Sequence, residues 1–174
     1  MAKKTATKKK PAAKRRKSKQ GVRIALIGAG SRSVSTHYPA LSDLPEASVV
    51  AACDLDENRL RTACDRFGIP GRYSDYRQMI EREKPDAVYA IMPPHHLYDV
   101  SADIIERGCH LFVEKPPAVT TEQTRQLALL AKKHSVLTGV TFQRRFAPLI
   151  RRGKQQCEKR GAVHTAHASF YKNW

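Results

Sequence analysis

Short apolar runs and mixed amphipathic stretches alternate along this chain. Val22-Arg23-Ile24-Ala25-Leu26-Ile27 is apolar but for Arg23 and reads as a strand over 22–27. A short helix is expected over 36–44 and a second strand over 48–53. Residues 56–67 have helical spacing, with Asp56 placed to cap the start and Gly68 to stop the end. Another helix is expected over 75–83, halted before Pro85, then a strand over 87–91 broken by Pro93-Pro94. A helix over 98–107 closes at Gly108, and the apolar run 110–113 reads as a buried strand. Thr121 opens a helix running to about His134, followed by a strand over 136–142. A further helix is expected over 146–160, although Gly153 weakens it, and one more strand over 163–171. No internal repeat is visible.

Strands alternating with helices imply parallel βαβ units. The expected class is therefore α/β, a doubly wound, mostly parallel sheet with helices on both faces. Three segments follow: a basic tail over 1–20, a globular domain over 21–145, and a linking helix with the start of a second unit over 146–174.

Charge sharpens that division. The chain has 174 residues and a formal net charge of +16. Residues 1–20 hold ten Lys/Arg and no acid, while residues 21–143 hold fourteen basic and fifteen acidic side chains. Residues 144–174 hold eight basic and one acidic. The middle is thus an ordinary globular domain, and the extreme pI belongs to the ends. The tail has too little apolar content to bury and repels itself, so disorder is expected there. Such a tail can neutralise phosphates and bind nucleic acid weakly and salt-sensitively; a merely solubilising extension is the plainer alternative. Arg15-Arg16 is not followed by the apolar segment an export signal needs, because the nearest such run carries Arg23 and forms the first strand. No stretch is long enough to span a membrane.

Cys53, Cys64, Cys109 and Cys157 have no Cys-x-x-Cys spacing, which fits neither a zinc site nor a disulfide scaffold. Reduced thiols and a cytoplasmic location are expected, with no metal.

The first strand runs directly into Gly28-Ala29-Gly30-Ser31-Arg32-Ser33. Glycines after a strand permit a tight turn and let backbone N–H groups approach a pyrophosphate at the next helix N-terminus. Ser33 replaces the third glycine, where a small side chain still fits. The second strand ends at Asp54. An acid there can accept hydrogen bonds from an adenosine ribose and disfavours a 2′-phosphate, so NAD is preferred. Arg59 and Arg61 keep NADP open. Taken alone, the glycines make an ordinary turn and Asp54 an ordinary strand-end residue.

Glu114-Lys115-Pro116 follows the strand over 110–113. Ligands of open α/β sheets bind beyond the carboxyl ends of the strands, so this charged pair stands at the cleft mouth. Lysine there can hold a substrate hydroxyl, or pass its proton if a desolvated or cation-rich cleft lowers its pKa. A surface salt-bridge pair is the alternative.

Gly28-x-Gly30, His37-Tyr38-Pro39-Ala40-Leu41, Asp54, Pro93-Pro94, Gly108-x-His110, Glu114-Lys115-Pro116 and Phe142-Gln143-Arg144-Arg145-Phe146 occur in that order. Over roughly residues 21–174 this resembles the amino-terminal half of the Gfo/Idh/MocA oxidoreductases, the glucose–fructose oxidoreductase and inositol dehydrogenase group. The resemblance implies a Rossmann domain followed by a larger α/β domain, and NAD- or NADP-dependent oxidation or reduction of sugars, cyclitols and related compounds. It implies that Gly28, Gly30 and the Ser31-Arg32 backbone hold the pyrophosphate, and that Asp54 takes the adenosine ribose. Met92, Pro93 and Pro94 would pack along the nicotinamide half, and Glu114 would contact the nicotinamide ribose or its surroundings. Lys115 would assist proton transfer at the substrate hydroxyl, with Gln143 and Arg145 flanking the cleft. The histidine many members carry after the strand over 87–91 falls on Leu97 here; His95 and His96 read as capping or solvent-facing groups.

Members also carry a catalytic Asp-x-x-x-His in the second domain, and no such motif follows Lys115. The chain is therefore expected to be a truncated member, with only the first strand of that domain and without its full catalytic group. Two readings from different classes follow. One is the cofactor half of a sugar or polyol oxidoreductase. The other is a non-catalytic nucleotide-binding protein that uses its basic tail on nucleic acid.

Overall fold

The structure, a computed structural model, describes residues 21–169 and 171. The basic tail over 1–20 lies outside the described residues.

The strands are β1 (Val22–Ile27), β2 (Ala47–Cys53), β3 (Gly71–Tyr73), β4 (Ala87–Ala90), β5 (His110–Val113) and β6 (Thr138–Val140). They form one all-parallel sheet in the order β3-β2-β1-β4-β5-β6. The helices are α1 (Tyr38–Ser42), α2 (Glu57–Phe67), α3 (Tyr76–Glu83), α4 (Pro94–Glu106), α5 (Thr121–His134) and α6 (Pro148–Glu158). A doubly wound α/β fold is therefore present.

Each face of the sheet has its own core, because successive side chains of a strand point to opposite sides. Ile24 and Leu26 of β1 join Tyr38, Leu41, Leu60, Ala63 and Cys64 on the face covered by α1 and α2. Ala25 and Ile27 join Met79, Ile80, Leu97, Ile104, Ile105 and Leu127 on the face covered by α3, α4 and α5. With both faces covered, the last four residues of β1 are all buried, which is why the strand reads as a continuous apolar run.

Helix ends follow side-chain chemistry. Asp56 accepts from the Asn58 and Arg59 N–H groups, and Gly68 closes α2 at φ 64°. Asp75 and Thr120 cap α3 and α5 in the same way.

The structure corrects several expectations. β3 is a strand that the pattern does not announce: it has three residues, and Gly71 comes close enough to β2 that a Cβ there would lie 2.7 Å from the Ala51 Cβ. α4 begins at Pro94, because proline at the first helical position loses no hydrogen bond and starts the helix instead of breaking it. The helix expected over 36–44 begins at Ser31 and passes through a π-helical turn, Ser33–His37, in which the Tyr38 N–H reaches back to Ser33 O. Pro39, which has no N–H, follows immediately. The helix expected over 146–160 is α6, again with a proline first, and a 3₁₀ turn, Gln143–Phe146, leads into it. The expected strand over 163–171, offered as the start of a second domain, is not present among the described residues. Residues 163–169 and 171 are exposed and pair with no strand, and an extended segment becomes a strand only beside another.

Candidate active site

In the sheet order, β1 and β4 are the neighbours from which the chain leaves in opposite directions. Beyond their carboxyl ends such a sheet leaves a crevice. Here it has a volume of about 590 Å³ and is bordered by Gly28, Gly30, Asp54, Arg59, Met92, Pro93 and His96, among others.

Gly28 leaves β1 at φ +102°, and a Cβ there would stand 2.1 Å from Ile91 O. Only glycine allows this approach of two backbones. Gly30 differs, since a Cβ there would meet nothing within 4 Å. Its missing side chain leaves open room at the loop, which is the space a pyrophosphate needs to lie against backbone N–H groups. The Tyr38 hydroxyl supports the turn from below by donating to Gly28 O at 3.3 Å.

Asp54 ties the far side of the crevice together. Its Oδ2 accepts from the Ala29 N–H at 2.6 Å and its Oδ1 from the Asp56 N–H at 2.8 Å. Each oxygen keeps a second lone pair for a ribose hydroxyl. Cys53, just before it, has its thiol pushed up to about 12 by burial and the nearby Asp54 charge, so it is an inert packing group.

Beyond the end of β5, outside the lining of this crevice, stands a polar cluster. Glu114 is buried at 7% exposure. Its Oε1 accepts from His37 Nε2 at 2.9 Å and from Arg32 Nε at 3.3 Å, and its Oε2 accepts from the Lys115 N–H at 3.1 Å. Burial alone would raise the Glu114 pKa. The hydrogen bonds from His37, Thr141, Lys115 and Arg32 outweigh burial and hold the carboxyl below its usual range. As an ionised carboxylate only accepts, His37 Nε2 carries the proton. The Lys115 N–H is shared with Thr141 Oγ1 at 3.0 Å, which links the end of β5 to the residue after β6. The Lys115 side chain itself is exposed.

Of the residues expected at the site, Gly28, Gly30, Asp54, Met92 and Pro93 border the crevice. Ser31 borders an adjoining depression with Gly30 and Arg59. Pro94 opens α4 beside them. Arg32 joins through Glu114, and Lys115 stands beyond β5. Gln143 and Arg145 occupy the exposed 3₁₀ turn and border none of these cavities. His95 and His96 lie exposed in the first turn of α4, ring centroids 4.1 Å apart. His37 and Thr141 are the site residues that sequence reasoning gives no role. A histidine among apolar neighbours was the available signal; for Thr141 there was none. Among the described residues there is no metal-ligating cluster, and no helix is long and apolar enough to cross a membrane.

Residues 22–142 match the family model described as "Oxidoreductase family, NAD-binding Rossmann fold". D-glucoside 3-dehydrogenase of Escherichia coli is 31% identical over 126 residues, covering 72% of this chain and 36% of that protein. Myo-inositol 2-dehydrogenase of Lactobacillus plantarum superposes with a TM-score of 0.75 at 27% identity, over 80% of this chain and 42% of that one. Scyllo-inositol dehydrogenase of Lactobacillus casei, solved with bound NAD(H) and scyllo-inositol, shares the fold at 22% identity and a TM-score of 0.75, over 80% and 42% of the two chains. This chain thus spans well under half the length of these relatives.

Proposed function

Because this chain belongs to the Gfo/Idh/MocA oxidoreductase family and is an NAD(P)-binding domain of it, we propose that it is the cofactor half of an enzyme oxidising or reducing a carbon of a sugar, cyclitol or related polyol. The observation that carries this is the crevice beyond β1 and β4, where the open space at Gly30 adjoins the Asp54 carboxylate. Residues 21–145 make up the dinucleotide-binding unit in this reading.

Gly28, Gly30 and the Ser31-Arg32 backbone hold the pyrophosphate. Asp54 accepts the adenosine ribose hydroxyls and repels a 2′-phosphate, which favours NAD. Met92, Pro93 and Pro94 line the nicotinamide half. A nicotinamide held there would supply the hydride chemistry. Lys115 then holds the reacting hydroxyl and takes or returns its proton, a contribution of about 10²–10⁴-fold where such a group is well placed. Glu114 accepts the Lys115 backbone N–H, which ties the start of that loop to the end of β5. Gln143 and Arg145 stand ready to flank the substrate side. Cys53, Cys64 and Cys109, all buried thiols outside any disulfide, support a reducing compartment, the cytoplasm.

NADH fluorescence titration of the full chain tests the reading. Saturable binding, weaker for NADPH than for NADH, is expected. Absence of binding at millimolar NADH would overturn it. Turnover of myo-inositol or a glucoside, assayed by NADH absorbance, tests whether these residues suffice alone.

A further inference from the structure

Arg32 stands in the first helical turn after Gly30, and its side chain bonds to Glu114 at the end of β5. The two ends of this pair differ sharply in exposure, 49% for the Arg32 side chain and 9% for Glu114. Arg32 therefore spans from the buried carboxylate out to open solvent beside the glycine loop.

A guanidinium has five N–H donors in a rigid fork. Glu114 takes the Nε–H, and among the described residues no other acceptor bonds the Nη groups. Glu114 keeps its other partners, His37 Nε2 and the Lys115 N–H, so the carboxylate is not left bare whatever the Nη groups do. His37 is itself buried at 7% exposure, which fixes the carboxylate from behind. The result is a cation pinned at one nitrogen, with its remaining donors open to a ligand, two residues from Gly30. A doubly charged pyrophosphate is the ligand that a planar fork beside backbone N–H groups suits, and phosphate oxygens accept from such forks in pairs.

Resting on the dinucleotide reading above, we propose that the Arg32 side chain is a pyrophosphate ligand held in place by Glu114. The glycine loop and the lysine loop then engage the dinucleotide as one unit. Glu114 acts through Arg32 and is a positioning residue, not a direct contact of the nicotinamide ribose.

A double-mutant cycle read by NADH fluorescence titration decides this. Arg32→Gln should weaken NADH binding by about 10–100-fold, the worth of hydrogen bonds to a charged group. Arg32→Lys should recover part of that loss, because it keeps the charge without the fork. Glu114→Gln should weaken NADH several-fold when Arg32 is present and have no effect when combined with Arg32→Gln. A Glu114→Gln loss that persists in the Arg32→Gln background would overturn the proposal and restore a direct contact for Glu114. An unchanged affinity in Arg32→Gln, with the parent binding normally, would overturn it alone. No binding by the parent would remove the dinucleotide reading and this proposal together. Thermal melts of each variant accompany the titrations. Should Glu114→Gln fail to fold, the two Arg32 variants still decide, since the Arg32 side chain is half exposed.

Discussion

Gly28 and Gly30 sit two residues apart and are predicted to fail in opposite ways when replaced by alanine. At Gly28 the backbone has φ +102°, and a Cβ would lie 2.1 Å from Ile91 O. An L-residue forced into positive φ costs about 1–2 kcal/mol. Pushing the end of β1 away from the chain after β4 adds an overpacking cost of about 1–3 kcal/mol. The total, roughly 2–5 kcal/mol, compares with about 5–15 kcal/mol for a whole domain. At about 2–4 °C per kcal/mol for a domain this size, Gly28→Ala should melt about 4–20 °C lower. At Gly30 the new methyl meets nothing within 4 Å. Gly30→Ala should keep its melting point within about 2 °C and still lose at least about tenfold in NADH affinity, because the methyl occupies the pyrophosphate's space. Thermal melts by circular dichroism and NADH titration on both variants make the test. If Gly28→Ala melts like the parent, the close approach to Ile91 is not a constraint. If Gly30→Ala binds NADH like the parent, the pyrophosphate does not lie where the crevice suggests.

Asp54→Ala should narrow the preference for NADH over NADPH; an unchanged ratio of dissociation constants would contradict the ribose role. The same change leaves the Ala29 and Asp56 N–H groups without their acceptor, so a stability loss of about 1–3 kcal/mol in urea unfolding should accompany it. Lys115→Met should leave the melting point and NADH affinity near the parent's while abolishing any turnover, since its side chain is exposed; lost folding would make it a structural residue. Acid should destabilise the fold through Glu114 and Asp103. For Asp103, burial raises the pKa, but hydrogen bonds from Tyr76 and Arg107 and the charges of Arg107 and Arg77 prevail and lower it. Both carboxyls are held below their ordinary values of 4.5 and 3.8, so they contribute fully above those values, and the contribution disappears as pH falls through the lowered ones. Urea midpoints should therefore drop between about pH 5 and 3, less steeply in Glu114→Gln, and an equal slope in that variant would refute the Glu114 assignment.

The alternation of apolar runs with amphipathic stretches was enough to give the sheet and most of its helices, because doubly covered parallel strands leave unbroken apolar runs. β3 was illegible, as three residues held by a close backbone approach leave no pattern. Local signals also misled. Pro93-Pro94 looked like an ending and is a beginning, while nothing in the composition around Ser33 announces a π-helical turn. The two loops of the site could be read from glycine and charge spacing. The contact between them could not, because Arg32 and Glu114 are 82 positions apart and meet only when β5 takes its place beside β4. The 163–171 segment shows the converse limit. Its β-like composition cannot make a strand without a neighbour to pair with.

Both rims of the sheet are minimal. β3 and β6, the outermost strands, have three residues each. A strand rim exposes unpaired backbone N–H and C=O groups that another chain can copy onto, the first step of edge-to-edge aggregation. Three residues offer too few such groups to hold an intruding strand in register. Copies of this domain that meet in a crowded solution are thus steered away from extending the sheet at these two rims.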